Sequence, residues 1–317
     1  MRAVALSSVP ASPAVTEVAA PRPEAGELLV KVAASSINGF DAATAAGYLQ
    51  QMMEHRYPLI PGKDFAGTVE AVGESAEGFA VGDHVFGVAM KPFLGTGSLA
   101  EYVVVSAAYG VAHIPQGLST ATAGALGLAG TAALDSVDAV DPQKGETVLI
   151  SGATGGVGAL AVQVAVARGA RVLATARPGA ESDFVRELTD AEIHLVDFTG
   201  EVEAQVRALA PNGVDAVLHL AGDGAQLAAL LRPGGRLAST LGFGPDAVQG
   251  QEVNGHEVSV TSVMADPNQL TLDKLAADAA TGALRVPITA TYPLDQVAQA
   301  FADFGTGARG KLAVSIA

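Results

Sequence analysis

The fold of this chain is decided by residues 147–169, which read TVLISGATGGVGALAVQVAVARG. The first four residues are apolar or β-branched and predict a short buried strand. Residues 158–169 carry apolar side chains at helical spacing, and the glycine-rich run 152–158 separates the two elements. The stretch therefore predicts a strand, a glycine turn and a helix, the opening unit of a parallel sheet with crossover helices.

Three glycines in this turn are spaced three residues apart. Because glycine has no Cβ, this spacing permits a tight turn, close approach of the main chain to a ligand, and close packing of the helix on the strand. Backbone N–H groups at the helix start would then face a dinucleotide diphosphate. A purely structural turn also favours glycine, but its place at the first strand of an alternating α/β region favours cofactor binding. The residues predicted to bind the cofactor here are Gly152, Thr154, Gly155, Gly156, Val157 and Gly158.

The second strand, over residues 171–176, should end where the adenosine ribose of the cofactor lies. A site for NAD needs Asp or Glu there, whereas this sequence offers Thr175 and Arg177. A hydroxyl and a guanidinium suit a 2′-phosphate, so the sequence favours NADPH. The alternative is that Arg177 is a solvated loop residue, because Glu181 and Asp183 follow closely.

The rest of the chain predicts two domains. Residues 1–118 contain short strands broken by glycine and proline, a pattern typical of small barrels. Residues 119–265 alternate between helix and strand patterns, with a turn at residues 233–235 expected between a unit over 226–231 and a strand over 236–240. Residues 266–317 are expected to return and complete the first domain.

Composition excludes several classes of protein. With 317 residues, 49% of them hydrophobic and 16% charged, the chain should form two folded domains. The formal charge of -15 argues against nucleic acid and anionic membranes as partners. No apolar run is long enough to span a bilayer and no secretory signal pattern is visible, so we expect a cytoplasmic protein. The absence of cysteine removes disulfides and thiolate metal ligands.

Several short motifs outside the glycine turn carry a family resemblance. The strongest are Asn38-Gly39-Phe40-Asp41, residues 61–67 (PGKDFAG), residues 81–87 (VGDHVFG), residues 130–133 (GTAA), residues 232–235 (RPGG) and Gly310-Lys311. With the glycine turn, they make the chain resemble the zinc-free quinone oxidoreductase branch of the medium-chain dehydrogenase/reductase superfamily, to which zeta-crystallin belongs. The resemblance runs along nearly the whole chain.

The resemblance implies an α/β protein with a GroES-like β-barrel catalytic domain and a Rossmann doubly wound parallel sheet, with the cofactor in the cleft between them. Zinc-dependent members carry a Cys and a Gly-His-Glu where this chain has the Asn38 segment and residues 62–64, so we expect no metal. A Gly255-His256-Glu257 sequence in a late loop is not expected to bind metal either. The implied activity is hydride transfer from NADPH to a quinone or an α,β-unsaturated carbonyl. The alternatives are an enoyl-thioester reductase of a lipid or polyketide pathway, or a non-enzymatic NADPH-binding protein.

The resemblance also implies catalytic residues. Asn38 and Thr131 match family positions near the nicotinamide and could donate hydrogen bonds to the carbonyl. Tyr48 could orient the acceptor or donate a proton. Each has a structural alternative: Asn38 as a turn residue, Thr131 as an ordinary hydroxyl near a helix start, and Tyr48 as a packing residue. Further cofactor contacts are implied at Gly242, Phe243 and Lys311.

Two features depart from the family pattern. Relatives usually place a Lys after the second strand and a Tyr after the third to hold the 2′-phosphate, whereas this chain has Glu181-Ser182-Asp183 and Phe198. Arg177 would then carry this recognition alone, or the preference for NADPH would be weaker. In the family, the strand expected over residues 258–264 lies at a sheet edge and pairs with a second subunit, so we expect a homodimer.

Overall fold

The computed structural model of the protein describes residues 1–247 and 257–316. The chain divides into two compact units. Unit 1 comprises Met1–Thr131 and Pro267–Ala317, and unit 2 comprises Ala132–Asp266. The first division lies later than the expected end of the first domain at residue 118, because a helix over Thr120–Ala123 packs on strands of unit 1. The second division, after Asp266, lies one residue from the expected boundary.

The elements are numbered in chain order. The strands are β1 (Arg2–Val4), β2 (Val15–Glu17), β3 (Glu27–Ile37), β4 (Glu54–Ile60), β5 (Asp64–Val72), β6 (His84–Val88), β7 (Phe93–Thr96), β8 (Tyr102–Ser106), β9 (Val111–His113), β10 (Thr147–Ser151), β11 (Arg171–Thr175), β12 (His194–Val196), β13 (Val214–His219), β14 (Leu231–Ser239), β15 (Ser259–Ser262), β16 (Ile288–Pro293) and β17 (Lys311–Ser315). The helices are α1 (Gly39–Ala45), α2 (Thr120–Ala123), α3 (Gly127–Val140), α4 (Gly156–Ala167), α5 (Ala180–Arg186), α6 (Val202–Leu209), α7 (Gly224–Ala228), α8 (Gln269–Thr281) and α9 (Val297–Gly305). In the described part of the chain, no helix combines the length and apolarity needed to cross a bilayer.

Unit 2 is built on a six-stranded sheet in the order β12-β11-β10-β13-β14-β15, and every neighbouring pair is parallel. The strand that precedes the glycine turn, β10, therefore lies in the interior of the sheet. Its residues Val148, Leu149 and Ile150 are fully buried. Strands covered on both faces read as continuous apolar runs, which is why this segment is so apolar.

One predicted turn in unit 2 is wrong. Residues 233–235 do not separate two elements, because β14 runs through them. The β13–β14 ladder pairs Val214 with Leu231 and then Ala216 with Arg236, so the extra residues form an irregularity within one strand. Gly234 takes a positive φ of 72° there, a conformation that glycine adopts without strain. The unit expected over residues 226–231 corresponds to the end of α7 (Gly224–Ala228) and the start of β14 at Leu231.

Unit 1 contains a seven-stranded sheet in the order β16-β17-β3-β5-β6-β9, with β8 also paired to β3. The long strand β3 pairs with three strands, β5, β8 and β17. Its ladder with β5 has register shifts, and these bend β3. Its buried face contributes Leu28, Val30 and Val32 to an apolar core that also includes Phe65 of β5.

The last strand of the chain positions part of the candidate site. Strand β17 pairs antiparallel with the end of β3, with Leu312 opposite Ile37 and Ala313 opposite Ser36. This register brings Lys311, the first residue of β17, next to Asn38, which follows β3. Helices α8 and α9 belong to the same returning segment of unit 1.

Candidate functional site

The glycine turn of unit 2 has the geometry that its sequence predicts. Gly152 has a φ of 75°, and its N–H donates to the Oγ1 atom of Thr175 at 2.9 Å. A Cβ on Gly158 would lie 2.1 Å from the carbonyl oxygen of Gly152, so only glycine allows this approach of helix to turn. Gly152 and Gly158 are therefore required by the protein's own packing.

Gly155 differs from the other two glycines, because a Cβ there would meet only the Gly152 oxygen, at 3.5 Å. It is the N-cap of α4 with φ −76° and ψ 172°, a conformation open to any residue. The first N–H groups of a helix have no acceptor within the helix, and the glycine N-cap has no side chain to supply one. The N–H groups at Gly156 and Val157 therefore suit the phosphates of a bound dinucleotide.

A pocket of about 660 Å³ opens beside this turn, entirely within unit 2. Its walls include Gly152 and Thr154 of the turn, Thr175 at the end of β11, Phe198 after β12, and Gly222 after β13. These segments all follow the carboxyl ends of parallel strands, where ligands bind in sheets of this order. The glycine turn, the N–H groups at the start of α4 and the adjoining pocket therefore suit a nicotinamide dinucleotide.

The Thr175 side chain supports the glycine turn through hydrogen bonds. Its side chain is buried, accepts from Gly152 and lies within hydrogen-bonding distance of the Ile150 carbonyl oxygen at 3.4 Å. The hydroxyl thus links the carboxyl ends of β10 and β11. A direct contact between Thr175 and the ribose stays a prediction.

Arg177 is engaged by Glu181 on the first turn of α5. The Arg177 Nε donates to Glu181 Oε1 at 2.7 Å, and the Arg177 backbone N–H donates to Oε2 at 2.9 Å. The guanidinium carbon also lies 5.8 Å from the centre of the Phe198 ring. The Glu181 hydrogen bond and charge raise the pKa of Arg177. A 2′-phosphate would have to compete with Glu181 for this guanidinium.

Gly242 and Phe243 follow the carboxyl end of β14. Gly242 has a φ of 78°, and the Phe243 ring lies against Gly224, where a Cβ would clash with the ring at 2.5 Å. The edge of buried His219 meets this ring at 5.9 Å between ring centres. His219 itself bridges the Ser239 hydroxyl and the Gly222 carbonyl oxygen, at 3.0 and 3.1 Å. His219 thereby connects Phe243 to Gly222, which lines the pocket.

The polar centre of unit 1 is Asp64, the first residue of β5, whose side chain is fully buried. Its Oδ2 accepts from Ser36 Oγ at 2.5 Å and Asn38 Nδ2 at 2.9 Å, and lies 3.2 Å from Lys311 Nζ. Its Oδ1 accepts from the N–H of Leu128 in the first turn of α3, at 2.6 Å. A buried carboxylate requires such compensation.

Asn38 and Lys311 are joined at this carboxylate. Lys311 Nζ donates to Asn38 Oδ1 at 2.6 Å, and both side chains are buried. The Asn38 amide is thus held at its oxygen and at one of its two N–H groups, and in the part of the chain that the structure describes its second N–H has no acceptor. Lys311 thus belongs to the Asp64 network, and its contact with the cofactor, implied by resemblance, stays a prediction.

A second carboxylate, Asp41, lies near this network in α1. It accepts from the N–H groups of Asn38, at 2.9 Å, and Gly62, at 3.1 Å. Burial, together with the nearby charge of Asp64, raises the pKa of Asp41 to about 6. Burial also lowers the pKa of Lys63, although the Asp41 charge opposes that shift.

The other two predicted catalytic residues have different surroundings. Thr131 is fully buried, and its hydroxyl donates to the Gly127 carbonyl oxygen one turn earlier in α3, at 2.8 Å. Tyr48, in the turn after α1, is 78% exposed. The described residues give its hydroxyl no hydrogen-bond partner. Neither side chain joins the Asp64 network.

Sequence reasoning missed Asp64, Lys63 and Asp41 as functional candidates, although all three lie in the motifs that carried the resemblance. The sequence contains a signal for them. Lys63 and Asp64 follow Gly62 at the start of an apolar strand pattern, and Asp41 lies two residues after Gly39. Charges in such positions are buried and need partners. The contact of Asp64 with Lys311 depends on the pairing of β17 with β3, which local patterns do not encode.

The donor set does not suit a catalytic zinc. By the family resemblance, the positions of the zinc-dependent Cys and Gly-His-Glu correspond to Asn38 and residues 62–64. The side chains there include Lys63, and the ammonium of Lys311 lies 3.2 Å from Asp64 Oδ2. Cationic side chains cannot act as ligands. Among residues 1–247 and 257–316, no group of three or more His, Asp or Glu side chains is placed to hold a metal ion. Gly255 and His256 lie outside the described residues.

Comparisons with known proteins agree with this architecture. Residues 24–116 match the alcohol dehydrogenase GroES-like domain, and residues 190–314 match the family described as zinc-binding dehydrogenase. With the sheet order of unit 2, these matches confirm the predicted combination of a GroES-like domain and a Rossmann sheet.

Individual relatives cover most of the chain. A quinone oxidoreductase from Sus scrofa is 31% identical over 310 residues, covering 94% of this chain and 91% of its own. The solved structure of a quinone oxidoreductase from Coxiella burnetii is 26% identical with a TM-score of 0.87, covering 100% of this chain and 99% of its own. A mycocerosic acid synthase-like polyketide synthase of Mycobacterium tuberculosis is 32% identical over 319 residues, which are 93% of this chain but 14% of that protein.

Proposed function

Because the chain belongs to the quinone oxidoreductase branch of the medium-chain dehydrogenase/reductase superfamily, we propose that it reduces a quinone or an α,β-unsaturated carbonyl with NADPH and without a metal ion. The observation that carries the proposal is the space at Gly155, the N-cap of α4, where a Cβ would meet only the Gly152 oxygen at 3.5 Å. This space lies beside the pocket of unit 2. The cofactor, when bound, supplies a hydride from its nicotinamide ring. The protein supplies binding, orientation and hydrogen-bond donors.

The preference for NADPH rests on Arg177. Its guanidinium is the cation at the end of β11, where a 2′-phosphate would need a partner. The hydrogen bond to Glu181 holds this cation close to the protein surface but also neutralises it. We therefore propose a modest preference for NADPH, with NADH also accepted.

The proposal of a metal-free reaction rests on the hydrogen-bond donors of unit 1. The second N–H of the Asn38 amide is the donor we assign to the acceptor's carbonyl, because Asp64 and Lys311 fix the amide in place. Thr131 remains a candidate donor to the same carbonyl, a role in which its hydroxyl would have to exchange its present bond to the Gly127 carbonyl oxygen. Tyr48 remains a candidate for orienting the acceptor from the surface.

The decisive experiment is a panel of quinones, enones and enoyl thioesters assayed with NADPH and with NADH, following loss of the reduced nicotinamide by absorbance. We expect acceptor-dependent oxidation with quinones or enones, at a rate unchanged after dialysis against a chelator. Tight NADPH binding without turnover on any acceptor would identify a non-enzymatic binder. Failure of both cofactors to bind would contradict the proposal altogether.

Reduction of an enoyl thioester is the second candidate, and one observation favours it. The polyketide synthase relative matches almost the whole of this chain at an identity similar to that of the quinone oxidoreductases. The panel separates the two reactions, because a higher kcat/KM for enoyl thioesters than for any quinone would select the second.

We also propose that two chains pair through β15. This strand forms one edge of the unit 2 sheet, and three of its four residues are exposed. An edge strand offers unpaired backbone groups that a second copy can use. Sedimentation should give a dimer, and a monomer at high concentration would count against this pairing.

A further inference from the structure

The loop that joins β12 to α6, residues 197–201, is held by side-chain hydrogen bonds. The Gln205 amide, in α6, bonds to both main-chain groups of Asp197. Its Oε1 accepts from the Asp197 N–H and its Nε2 donates to the Asp197 carbonyl oxygen, each at 2.8 Å. Nε2 also donates to the Glu201 carbonyl oxygen at 3.3 Å. One side chain of the helix therefore fixes both ends of the loop.

Phe198 lies in the middle of this loop and is also held from its other side. Oδ1 of Asp197 accepts from the N–H and the hydroxyl of Thr199, at 2.9 and 2.7 Å. Phe198 is 48% exposed and lines the pocket of unit 2. A ring on a backbone that is already fixed loses little freedom when a ligand packs on it. Phe198 is therefore a preorganised apolar surface of the pocket.

The order of the strands indicates which part of a dinucleotide reaches Phe198. Strands β10, β11 and β12 are parallel neighbours in the sheet. The diphosphate is expected at the turn after β10, and the adenosine ribose at the end of β11. Phe198 follows β12 and lines the same pocket as Gly152 and Thr175. The base attached to that ribose is therefore the ring that Phe198 can meet.

The pocket suits a purine base. Its volume of about 660 Å³ falls within the range of about 300–1,000 Å³ that small-molecule sites have. An aromatic side chain stacks on any nucleobase through its apolar face, and this contact needs no hydrogen-bonding group on the ring. A phenylalanine that is half exposed in the wall of such a pocket meets this requirement.

We infer that Phe198 binds the adenine base of the cofactor by stacking, and that Gln205 is the positioning residue that holds Phe198 in place. This inference rests on the proposed function. It assigns the affinity that NADPH and NADH share to Phe198, whereas the choice between them belongs to Arg177. The Arg177 guanidinium lies 5.8 Å from the centre of the Phe198 ring, so the sites for the base and the 2′-phosphate are neighbours.

Binding of the two cofactors tests the role of Phe198. Phe198→Leu should weaken the binding of NADPH and of NADH by about tenfold each, because stacking on the base is lost. The ratio of the two dissociation constants, measured by calorimetry, should not change. Phe184→Leu is the matched control, since Phe184 is a half-buried phenylalanine of α5 and is not among the described residues that line the pocket. Its dissociation constants should stay within about twofold of wild type.

A fluorescence experiment detects the stacking directly. The chain contains no tryptophan, so Phe198→Trp introduces a single indole at the proposed contact. Adenosine monophosphate, which carries the base, should quench the indole emission. Nicotinamide mononucleotide, the other half of the cofactor, should not. The variant should bind NADPH within about threefold of wild type, because the indole is also a planar aromatic ring.

Gln205→Leu, made in the Phe198→Trp protein, tests the positioning role. Loss of the amide hydrogen bonds should raise the dissociation constant of adenosine monophosphate by about fivefold or more. The affinity for nicotinamide mononucleotide, measured by competition with NADPH, should not change. Gln143→Leu is the control, because the Gln143 amide also donates to a loop carbonyl of unit 2, that of Asp141 at 3.0 Å, but in the loop before β10. It should leave the quenching unchanged.

The outcomes separate this inference from the proposed function. Wild-type affinity of Phe198→Leu for both cofactors, or the lack of selective quenching by adenosine monophosphate, would overturn the role of Phe198. Equal effects of Gln205→Leu and Gln143→Leu would overturn that of Gln205. If wild type binds neither NADPH nor NADH, the proposed function fails, while the titration of Phe198→Trp still decides whether Phe198 meets an adenine base. Thermal unfolding checks that each variant is folded, and Phe198→Trp decides alone if Phe198→Leu is not.

Discussion

The ammonium of Lys311 lies 3.2 Å from the Oδ2 atom of Asp64, and 247 residues separate them in the chain. Both side chains are almost completely buried, at 2% and 0% exposure. Removing one partner of such a pair leaves the other charge buried without an ionic partner, although hydrogen bonds to Asp64 from Ser36, Asn38 and Leu128 would remain. The pair therefore couples the end of the chain to the Asn38 segment.

Lys311→Met should lower the free energy of unfolding by about 3–5 kcal/mol, because the Asp64 carboxylate would be left buried and unpaired. Denaturant titration measures this loss. Lys274→Met is the control, since Lys274 pairs with Asp278 on the exposed face of α8 and should cost only about 0.5 kcal/mol. Similar losses in the two variants would contradict the importance of the buried pair.

Two glycine variants should separate folding from cofactor binding. Gly158→Ala should destabilise the protein by about 3 kcal/mol, because the new methyl group meets the Gly152 oxygen at 2.1 Å. Gly155→Ala should change stability by less than about 1 kcal/mol, yet weaken NADPH binding by about tenfold or more, since its methyl group occupies the diphosphate cradle. Thermal unfolding and calorimetry measure the two effects. Wild-type affinity in a folded Gly155→Ala protein would place the diphosphate elsewhere.

Glu181→Gln should increase the preference for NADPH over NADH by about tenfold, because the Arg177 guanidinium would lose its anionic partner and become available to a 2′-phosphate. The measurement is the ratio of the two dissociation constants. Asp183→Asn removes a similar charge from the same helix, where Asp183 faces Arg186, and should leave the ratio nearly unchanged. An equal change in both variants would indicate a general effect of charge.

Asp41 should make the protein less stable as the pH rises through the weakly acidic range. Its pKa is raised from 3.8 to about 6 in the folded state, so folding favours the protonated form. The resulting stabilisation is present below pH 3.8 and is lost as the pH passes 6, by about 3 kcal/mol in total. The difference in unfolding free energy between wild type and Asp41→Asn should therefore fall across this range. Asp83, whose pKa is lowered chiefly by the Ala80 N–H, should give the opposite slope in Asp83→Asn.

Much of unit 2 could be predicted from the sequence, because its signals are local. The apolar run before Gly152 and the glycine spacing determine a strand, a turn and a helix without help from distant residues. The error at residues 233–235 has a physical cause: proline and glycine favour a turn, but an irregular parallel ladder with β13 also accommodates them. Local patterns do not separate these two outcomes.

The site in unit 1 was harder to predict, since its contacts join distant parts of the chain. The contacts of Lys311 with Asn38 and Asp64 arise because β17 pairs with the end of β3. The hydrogen bond from Thr131 to the Gly127 carbonyl oxygen is local by contrast, and a role for Thr131 at the acceptor stays a prediction. The contacts of Lys311 do not follow from residue type or spacing.

The returning strand β17 has a consequence for synthesis on the ribosome. Asp64 is made early, whereas its cationic partner emerges only after every residue of unit 2 has been translated. A nascent chain halted before residue 311 would carry all the residues of unit 2, but its N-terminal sheet would lack a strand and its central carboxylate would lack a counter-ion. The N-terminal sheet can therefore be completed only after all of unit 2 has been synthesised.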